Sequence, residues 1–411
     1  MAIVLDPDEP AISRGIRTVG IGKKGSQNLT PELAREIVDE LRSGSASDAA
    51  KGAFFAGLCA KGIDPAEEIL DLAFVPGTLK ESSKLLEAIT AGSPDYVKDI
   101  CGQLLAGQTL DKDTAYKLGQ FLFSGDLSDG ARGWVASFLR VRYESDDEYA
   151  GLLQAMHDTL APAFKILTPP GEPVVQIAEP FDGVDHSYMI TPLLGRALQG
   201  KGYRVVHQVG RNSGPKLEMN LQDLALALGE TAALSNADLA LQKPQFGFFF
   251  HQSLMSRAMD RWIGLRRQII KRPFLATLER FINPLKAEIL IVSAFHAPYG
   301  EKMLAIAGHA GFTKIIIVRN GIEGTIGFPL LRDVKLLLAA RQEDGTFLRK
   351  ELVIENHPVV DTEEMIAKPK VSANAGLIQS HVKTGTSGNK HFDLRVKLTC
   401  KGINRALEWL S

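Results

Sequence analysis

Beyond Pro169-Pro170-Gly171, short apolar runs alternate with helical stretches, and this alternation narrows the fold more than any other feature of the chain. The apolar runs fall at 174–178, 203–208, 246–250, 288–293 and 314–319, with helical patterns between them at 193–199, 220–228, 252–265 and 300–309. Strands that each return through a helix pair side by side in one direction. The pattern therefore predicts an α/β domain with a mostly parallel sheet covered on both faces, over residues 169–345. Residues 346–411 read as its continuation, with short strands at 351–355 and 394–399, a Gly/Ser/Thr-rich loop at 383–390 and a short helix at 403–410.

The first 160 residues carry helical periodicity instead, and they match themselves without a gap. Residues 29–72 moved by 81 positions overlay 110–153, with Leu29/Leu110, Ala34/Ala115, Leu41/Leu122, Ser43/Ser124, Gly44/Gly125, Ser47/Ser128, Asp48/Asp129, Gly52/Gly133, Leu58/Leu139 and Glu67/Glu148 coinciding. Most of the shared residues are helix punctuation. Gly44 and Gly125 suit the left-handed position after a helix, and Ser47 and Ser128 suit N-caps. Asp64 with Glu67, and Ser145 with Glu148, have capping-box spacing. Three caps in one register point to a duplicated helical module inside a helical domain at 29–168.

Residues 1–28 read as a basic N-terminal arm carrying Lys23 and Lys24. Gly20-Ile21-Gly22-Lys23-Lys24-Gly25 fits the G-x-G-x-x-G pattern, but no strand precedes it and no βαβ unit follows, so a dinucleotide site is not expected there. The apolar faces of the helices at 30–75 (Ile37, Leu41, Phe54, Phe55, Leu58) exceed what one small bundle needs. They predict a homodimer joined through these helices.

Composition excludes several classes. With 45% hydrophobic and 23% charged residues in 411, the chain is globular rather than disordered. No apolar run reaches the ~20 residues of a membrane span. The N-terminus lacks the basic start and apolar stretch of a secretion signal. Three distant cysteines, Cys59, Cys101 and Cys400, have no metal-binding spacing and suit a cytoplasmic protein.

The chemistry is expected at 174–192, where a strand runs through Pro180–Gly183 to a helix beginning near Thr191. Carboxyl end of strand followed by amino end of helix is the α/β arrangement for holding phosphate. Glu179, Pro180 and Phe181 nevertheless replace the glycines that would let a phosphate approach, adding a carboxylate and removing an N–H donor. Asp182 is the foremost site residue. A second feature is the basic run Arg257, Arg261, Arg266, Arg267, Lys271 and Arg272, with Asp260 the one acid in it. It reads equally as a solvated helix face or as a surface for phosphate oxygens. His186, His207 and His251 are candidates for acid–base work, although for His251 a core-edge or capping role is the commoner outcome.

These residues resemble anthranilate phosphoribosyltransferase and its relatives in the nucleoside-phosphorylase-like glycosyltransferase family 3. The likeness covers roughly residues 29 to 335. It rests on the helical module 29–44 with Ser47-Asp48 and Ala60-Lys61-Gly62, on Gly247-Phe248-Phe249-Phe250, and on Arg266-Arg267 followed by Asn283-Pro284. The resemblance implies a phosphate loop at Asp182, Gly183 and Thr191, and a second loop at His207, Gly210, Arg211 and Asn212. It also implies an acceptor-binding Arg266. The family's Gly-Thr-Gly-Gly-Asp loop is here Ala178-Glu179-Pro180-Phe181-Asp182, and its magnesium-binding Asp-Glu pair is Glu323-Gly324. One metal carboxylate, Glu323, is left, and magnesium is expected only if phosphoribosyl pyrophosphate binds.

A branch of the family paralogous to the tryptophan enzyme is more similar. Shared landmarks are the Ile16–Lys23 arm, the Asp182-Gly183 turn and Gly321-Ile322-Glu323-Gly324. That branch implies nucleic-acid-binding homodimers without evident transferase activity. The expected function is thus a repurposed paralogue that binds nucleic acid or another polyanion through Arg257, Arg261, Arg267, Lys271, Arg272, Lys23 and Lys24. The alternatives are an active glycosyl- or phosphoribosyltransferase acting on an aromatic or base-like acceptor, and a protein-interaction scaffold.

Overall fold

Caps and buried faces account for the helical part of the chain. The computed structural model describes residues 5–20, 25–166, 171–213, 219–294, 299–355, 360, 362–366 and 368–411. They divide into a helical unit, Met1–Met156 with Arg261–Leu275, and an α/β unit, His157–Asp260 with Ala276–Ser411. Residues 261–275 thus group with the helices and not with the 169–345 segment in which the sequence placed them.

The helical unit contains α1 (Ala11–Val19), α2 (Pro31–Ser43), α3 (Asp48–Lys61), α4 (Ser82–Ile89), α5 (Asp95–Leu105), α6 (Lys112–Leu122), α7 (Asp129–Arg142) and most of α8 (Asp146–Asp158). A 3₁₀ segment spans Pro65–Ala73. α1 corrects the expectation of a free basic arm. Ile12, Ile16 and Val19 recur at helical spacing and are buried. Gly15 lets α1 approach closely, since a Cβ there would lie 2.7 Å from Ile37 and 2.8 Å from Phe54. Lys23 and Lys24 lie outside the described residues.

Thr30 caps α2 and Ser47 caps α3, each side chain accepting a hydrogen bond from the third residue on. Gly44 is left-handed, with φ 75°. The matched positions downstream differ. Gly125 is not among the positive-φ residues, and Ser128 makes no capping bond. Two buried carboxylates do correspond. Glu67 accepts from the backbone N–H groups of Leu29 (2.9 Å) and Asp64 (2.8 Å) and pairs with Lys61 at 2.9 Å. Glu148 accepts from Leu110 (2.9 Å) and Ser145 (2.7 Å) and pairs with Arg142 at 2.5 Å.

In the α/β unit the strands are β1 (Val174–Ala178), β2 (Arg204–Val209), β3 (Phe248–His251), β4 (Ile289–Ala294), β5 (Lys314–Arg319), β6 (Val334–Arg341) and β7 (Phe347–Ile354). They form one sheet in the order β3-β2-β1-β4-β5-β6-β7. The first five neighbours run parallel, and β6 and β7 close the sheet as an antiparallel hairpin. β6 was not foreseen in the apolar run 334–340. The edge strand β7 exposes Arg349, Lys350 and Glu351, charges that discourage further strand pairing.

The helices that follow are α9 (Thr191–Gln199), α10 (Leu221–Ala227), α11 (Gln252–Met255), α12 (Arg257–Ile269), α13 (Leu275–Leu278), α14 (Tyr299–His309), α15 (Val371–Thr384) and α16 (Lys390–Leu410). The single helix expected at 252–265 is broken at Ser256, whose hydroxyl accepts from Met259 N at 3.1 Å and starts α12 afresh. The strand expected at 394–399 lies inside α16. Phe392, Val396, Thr399, Ile403, Ala406 and Leu410 are buried at a spacing of three to four, and the local alternation is a fragment of that period. The Gly/Ser/Thr-rich loop expected at 383–390 is shorter, residues 385–389, because 383 and 384 end α15 and 390 starts α16. Gly385 caps α15 in the left-handed region, and the Asp393 carboxylate accepts from Ser387 N and Thr386 Oγ1.

Candidate functional site

β1 lies between β2 and β4, where the chain's crossovers change direction, and ligands of open α/β sheets bind outside the carboxyl ends of strands at such a point. Glu179 follows β1 directly and is buried. Its carboxylate accepts from Thr191 Oγ1 at 2.6 Å and from Ile326 N at 3.1 and 3.2 Å. Burial pushes the carboxyl up to about 7, against the opposing pull of these donors and of Arg280. Phe181 is buried too, and its ring occupies the space beside Gly210, where a Cβ would come within 2.5 Å of it.

Asn220 ties the two loops together. Its Nδ2 donates to the carbonyls of Phe181 and Gly210, both at 2.9 Å, while its Oδ1 caps α10. Gly183 takes φ 74°, and a Cβ there would overlap the Met219 carbonyl, which accepts from Val184 N at 2.9 Å. The space lined by Glu179, Phe181, Gly210 and Asn220 admits no water molecule. A phosphate site needs inward-pointing N–H groups and room for oxygens. Here Pro180 has no N–H, the Thr191 hydroxyl serves Glu179, and an aromatic ring stands in the room.

Asp182 is buried beside these residues. His207 lies in the core, within β2. Its Nε2 lies 2.8 Å from the Phe246 carbonyl, its ring stacks on Phe249 with centroids 4.7 Å apart, and burial lowers its pKa to about 4. His251 is buried at the end of β3 and likewise shifted down by burial, while His186 is exposed. Arg211 forms a two-pronged pair with Asp260, at 2.9 and 2.6 Å, and Asn212 is half-buried.

Glu323 has φ 50°. Its carboxylate accepts from Asp185 N (2.7 Å), His186 N (2.8 Å) and Ser187 Oγ (2.7 Å). A cation would have to displace these donors, and no group of three metal-ligating side chains occurs among the described residues. The donor set does not fit magnesium.

The basic run divides by role. Arg261 donates to the carbonyls of Phe123 (3.1 Å) and Ser124 (2.8 Å), and Trp262 Nε1 donates to that of Leu122 (3.1 Å), so both close the end of α6. Arg266 is buried. Lys271 is half-buried against Ser137, and burial, aided by Arg140, drops its pKa to about 7. Arg257, Arg267 and Arg272 are exposed.

A model of the glycosyl transferase family helical bundle domain matches residues 16–74. The match begins within α1, in keeping with that helix belonging to the bundle. Uncharacterized protein YbiB of Escherichia coli (strain K12) is 31% identical over 220 residues, covering 53% of this chain and 67% of that protein. The anthranilate phosphoribosyltransferase of Geobacillus stearothermophilus is 24% identical over 236 residues, 55% of this chain and 66% of the enzyme. The chain belongs to the anthranilate phosphoribosyltransferase family. Its fold agrees with that of the anthranilate phosphoribosyltransferase from Thermus thermophilus, with a TM-score of 0.56 at 18% identity over 75% of this chain and 90% of the other.

Against the anthranilate phosphoribosyltransferase landmarks, the structure brings together Asp182, Gly183, Thr191 and Gly210, all around the filled β1 loop. Arg266 belongs to the helical unit. Sequence reasoning missed Asn220 and Ile326 as partners of the loop. The Asn220–Asp223 capping box was legible as a helix start, but nothing local showed that its amide also reaches back 39 residues to Phe181.

Proposed function

We propose that this chain is a repurposed member of the anthranilate phosphoribosyltransferase family that binds nucleic acid or another polyanion, and that it takes up phosphoribosyl pyrophosphate weakly or not at all. The observation that carries the second half is the filled β1 loop. Glu179 holds the donors there as a built-in acceptor, and Phe181 takes the volume. Losing two or three charge-assisted contacts at about 1.5–3 kcal/mol each weakens a pyrophosphate by several powers of ten. Calorimetry with phosphoribosyl pyrophosphate and magnesium should therefore register no sub-micromolar binding. Such binding, or conversion of anthranilate, would restore the transferase reading.

Support for the first half comes from exposed Arg257, Arg267 and Arg272. Asp260, the acid of the run, pairs with Arg211. Fluorescence anisotropy with a labelled oligonucleotide should give binding that falls with salt, by about 0.7–0.9 log units per log unit for each phosphate neutralised. Changing Arg257, Arg267 and Arg272 to Glu should abolish it without loss of fold. Arg261 must be left alone because it closes α6. No binding at low salt would make the run a solvated face.

A further inference from the structure

α3 and α7 have the same length and lie 81 positions apart in the chain, Asp48–Lys61 and Asp129–Arg142. They pack against each other through equivalent residues. A Cβ on Gly52 would overlap the Gly130 carbonyl and come 2.8 Å from Trp134 N. A Cβ on Gly133, the match of Gly52, would overlap the Ala49 carbonyl and come 2.9 Å from Ala53 N. Ala49 and Ala53 are the matches of Gly130 and Trp134. Each glycine thus touches the counterpart of what its own counterpart touches. That reciprocity defines an isologous, two-fold interface, the kind that joins identical subunits.

The buried clips obey the same register. Glu67 and Glu148 each bind the residue before one helix N-cap, the first residue of a capping box and the last cation of α3 or α7. Two unrelated hairpins would have no reason to share a carboxylate with three partners at one offset.

We propose that residues 29–72 and 110–153 form an internal dimer, two copies of one module paired about a local two-fold axis. The second copy then takes the place that another chain would otherwise hold, and the whole protein is a monomer. Ile37, Phe54, Phe55 and Leu58, whose apolar surplus predicted a homodimer, are fully buried within the one chain, and Leu41 is half-buried. A partner tethered in the same chain is present at millimolar effective concentration, so pairing in cis outcompetes pairing between chains. The inference is independent of what the protein binds.

Light scattering behind a sizing column should give the 44.7 kDa chain mass throughout the micromolar range. A species of twice that mass would overturn the proposal. Gly52→Leu and Gly133→Leu, made separately in the full chain, each drive a side chain into the opposite backbone. Equivalent sites should lower the melting temperature equally, and the opened chains should associate with increasing concentration. A large loss at one glycine and none at the other would remove the two-fold axis. If neither variant folds, the wild-type mass decides.

Discussion

The two matched segments of the helical unit keep the same buried carboxylate clip and differ in their local caps. In the first, Gly44 turns left-handed after α2 and Ser47 caps α3. In the second neither device is used. Arg132, the counterpart of Lys51, lies buried and donates to the carbonyls of Phe121, Leu122, Ser124 and Asp126, and Arg261 and Trp262 add to this. Helix ends must satisfy their last carbonyls, but any well-placed donor serves. A clip that joins two stretches of chain 38 residues apart has fewer substitutes. Long-range geometry is therefore the more durable part of the module, and short-range punctuation the more exchangeable.

The sharpest way to break this comparison is at the clips. Glu67→Ala and Glu148→Ala each strip a fully buried carboxylate from a cation that is itself mostly buried, Lys61 or Arg142. Each also orphans two backbone N–H groups. The expected cost is about 3–5 kcal/mol at both sites, measured by urea unfolding. A large loss at one site and a small one at the other would show that the clips are not equivalent.

Next in size is the divergent pair Arg132 and Lys51. Arg132→Ala should cost about 3 kcal/mol, because several carbonyls lose their donor in a site where water cannot replace it. Lys51→Ala should stay within about 0.5 kcal/mol, its partner being an exposed Asp48 three residues earlier. Equal effects would mean that Arg132 had not taken over the capping.

Glu179 provides the contrast in the other unit, a buried carboxylate with no ion pair of the Glu67 kind. Its pKa is raised in the folded protein to about 7, so its stabilising contribution is full below the unfolded value near 4.5. That contribution is lost as pH rises toward 7, to the extent of about 3 kcal/mol. His207, lowered to about 4, works in the opposite sense, with full stability above its unfolded value and loss as pH falls toward 4. Glu179→Gln should match wild type near pH 4 and exceed it by up to about 3 kcal/mol at pH 8. A variant no more stable at pH 8 than wild type would show that the carboxylate is ionised at little cost, with a phosphate-repelling charge in place at neutral pH.

Much of this was readable beforehand, and what was not shares a cause. β1 and β5 fall on the expected bounds because a five- or six-residue apolar run between turns has few other outcomes in an α/β chain. The 394–399 stretch failed because six residues are too few to tell a period of two from a fragment of 3.6. At the site, Glu179 and Phe181 were visible as intruders in a phosphate loop. That Glu179 would bind Ile326, 147 residues away, was not, because a contact of that span leaves no local signature. From the charge pattern alone, buried Arg266 was indistinguishable from the exposed arginines of the run for the same reason, and nothing local showed that Arg261 would bind the end of α6. Charge patterning shows how many cations a helix carries, not which of them the tertiary fold consumes.

The smallest effect tests the caps themselves. Ser47 Oγ accepts from Ala50 N at 3.3 Å, so Ser47→Ala leaves the start of α3 one acceptor short and should cost about 1 kcal/mol. Ser128 stands at the matched place before α7, but with its backbone at φ −141° and ψ 58° its hydroxyl makes no bond to the helix N–H groups. That hydroxyl is buried without a hydrogen-bond partner, so Ser128→Ala removes a desolvated polar atom and should be neutral or slightly stabilising. Thermal unfolding of the two variants side by side measures the difference. Equal losses would mean that Ser128 does cap α7 in solution, and that the segments share their short-range punctuation after all.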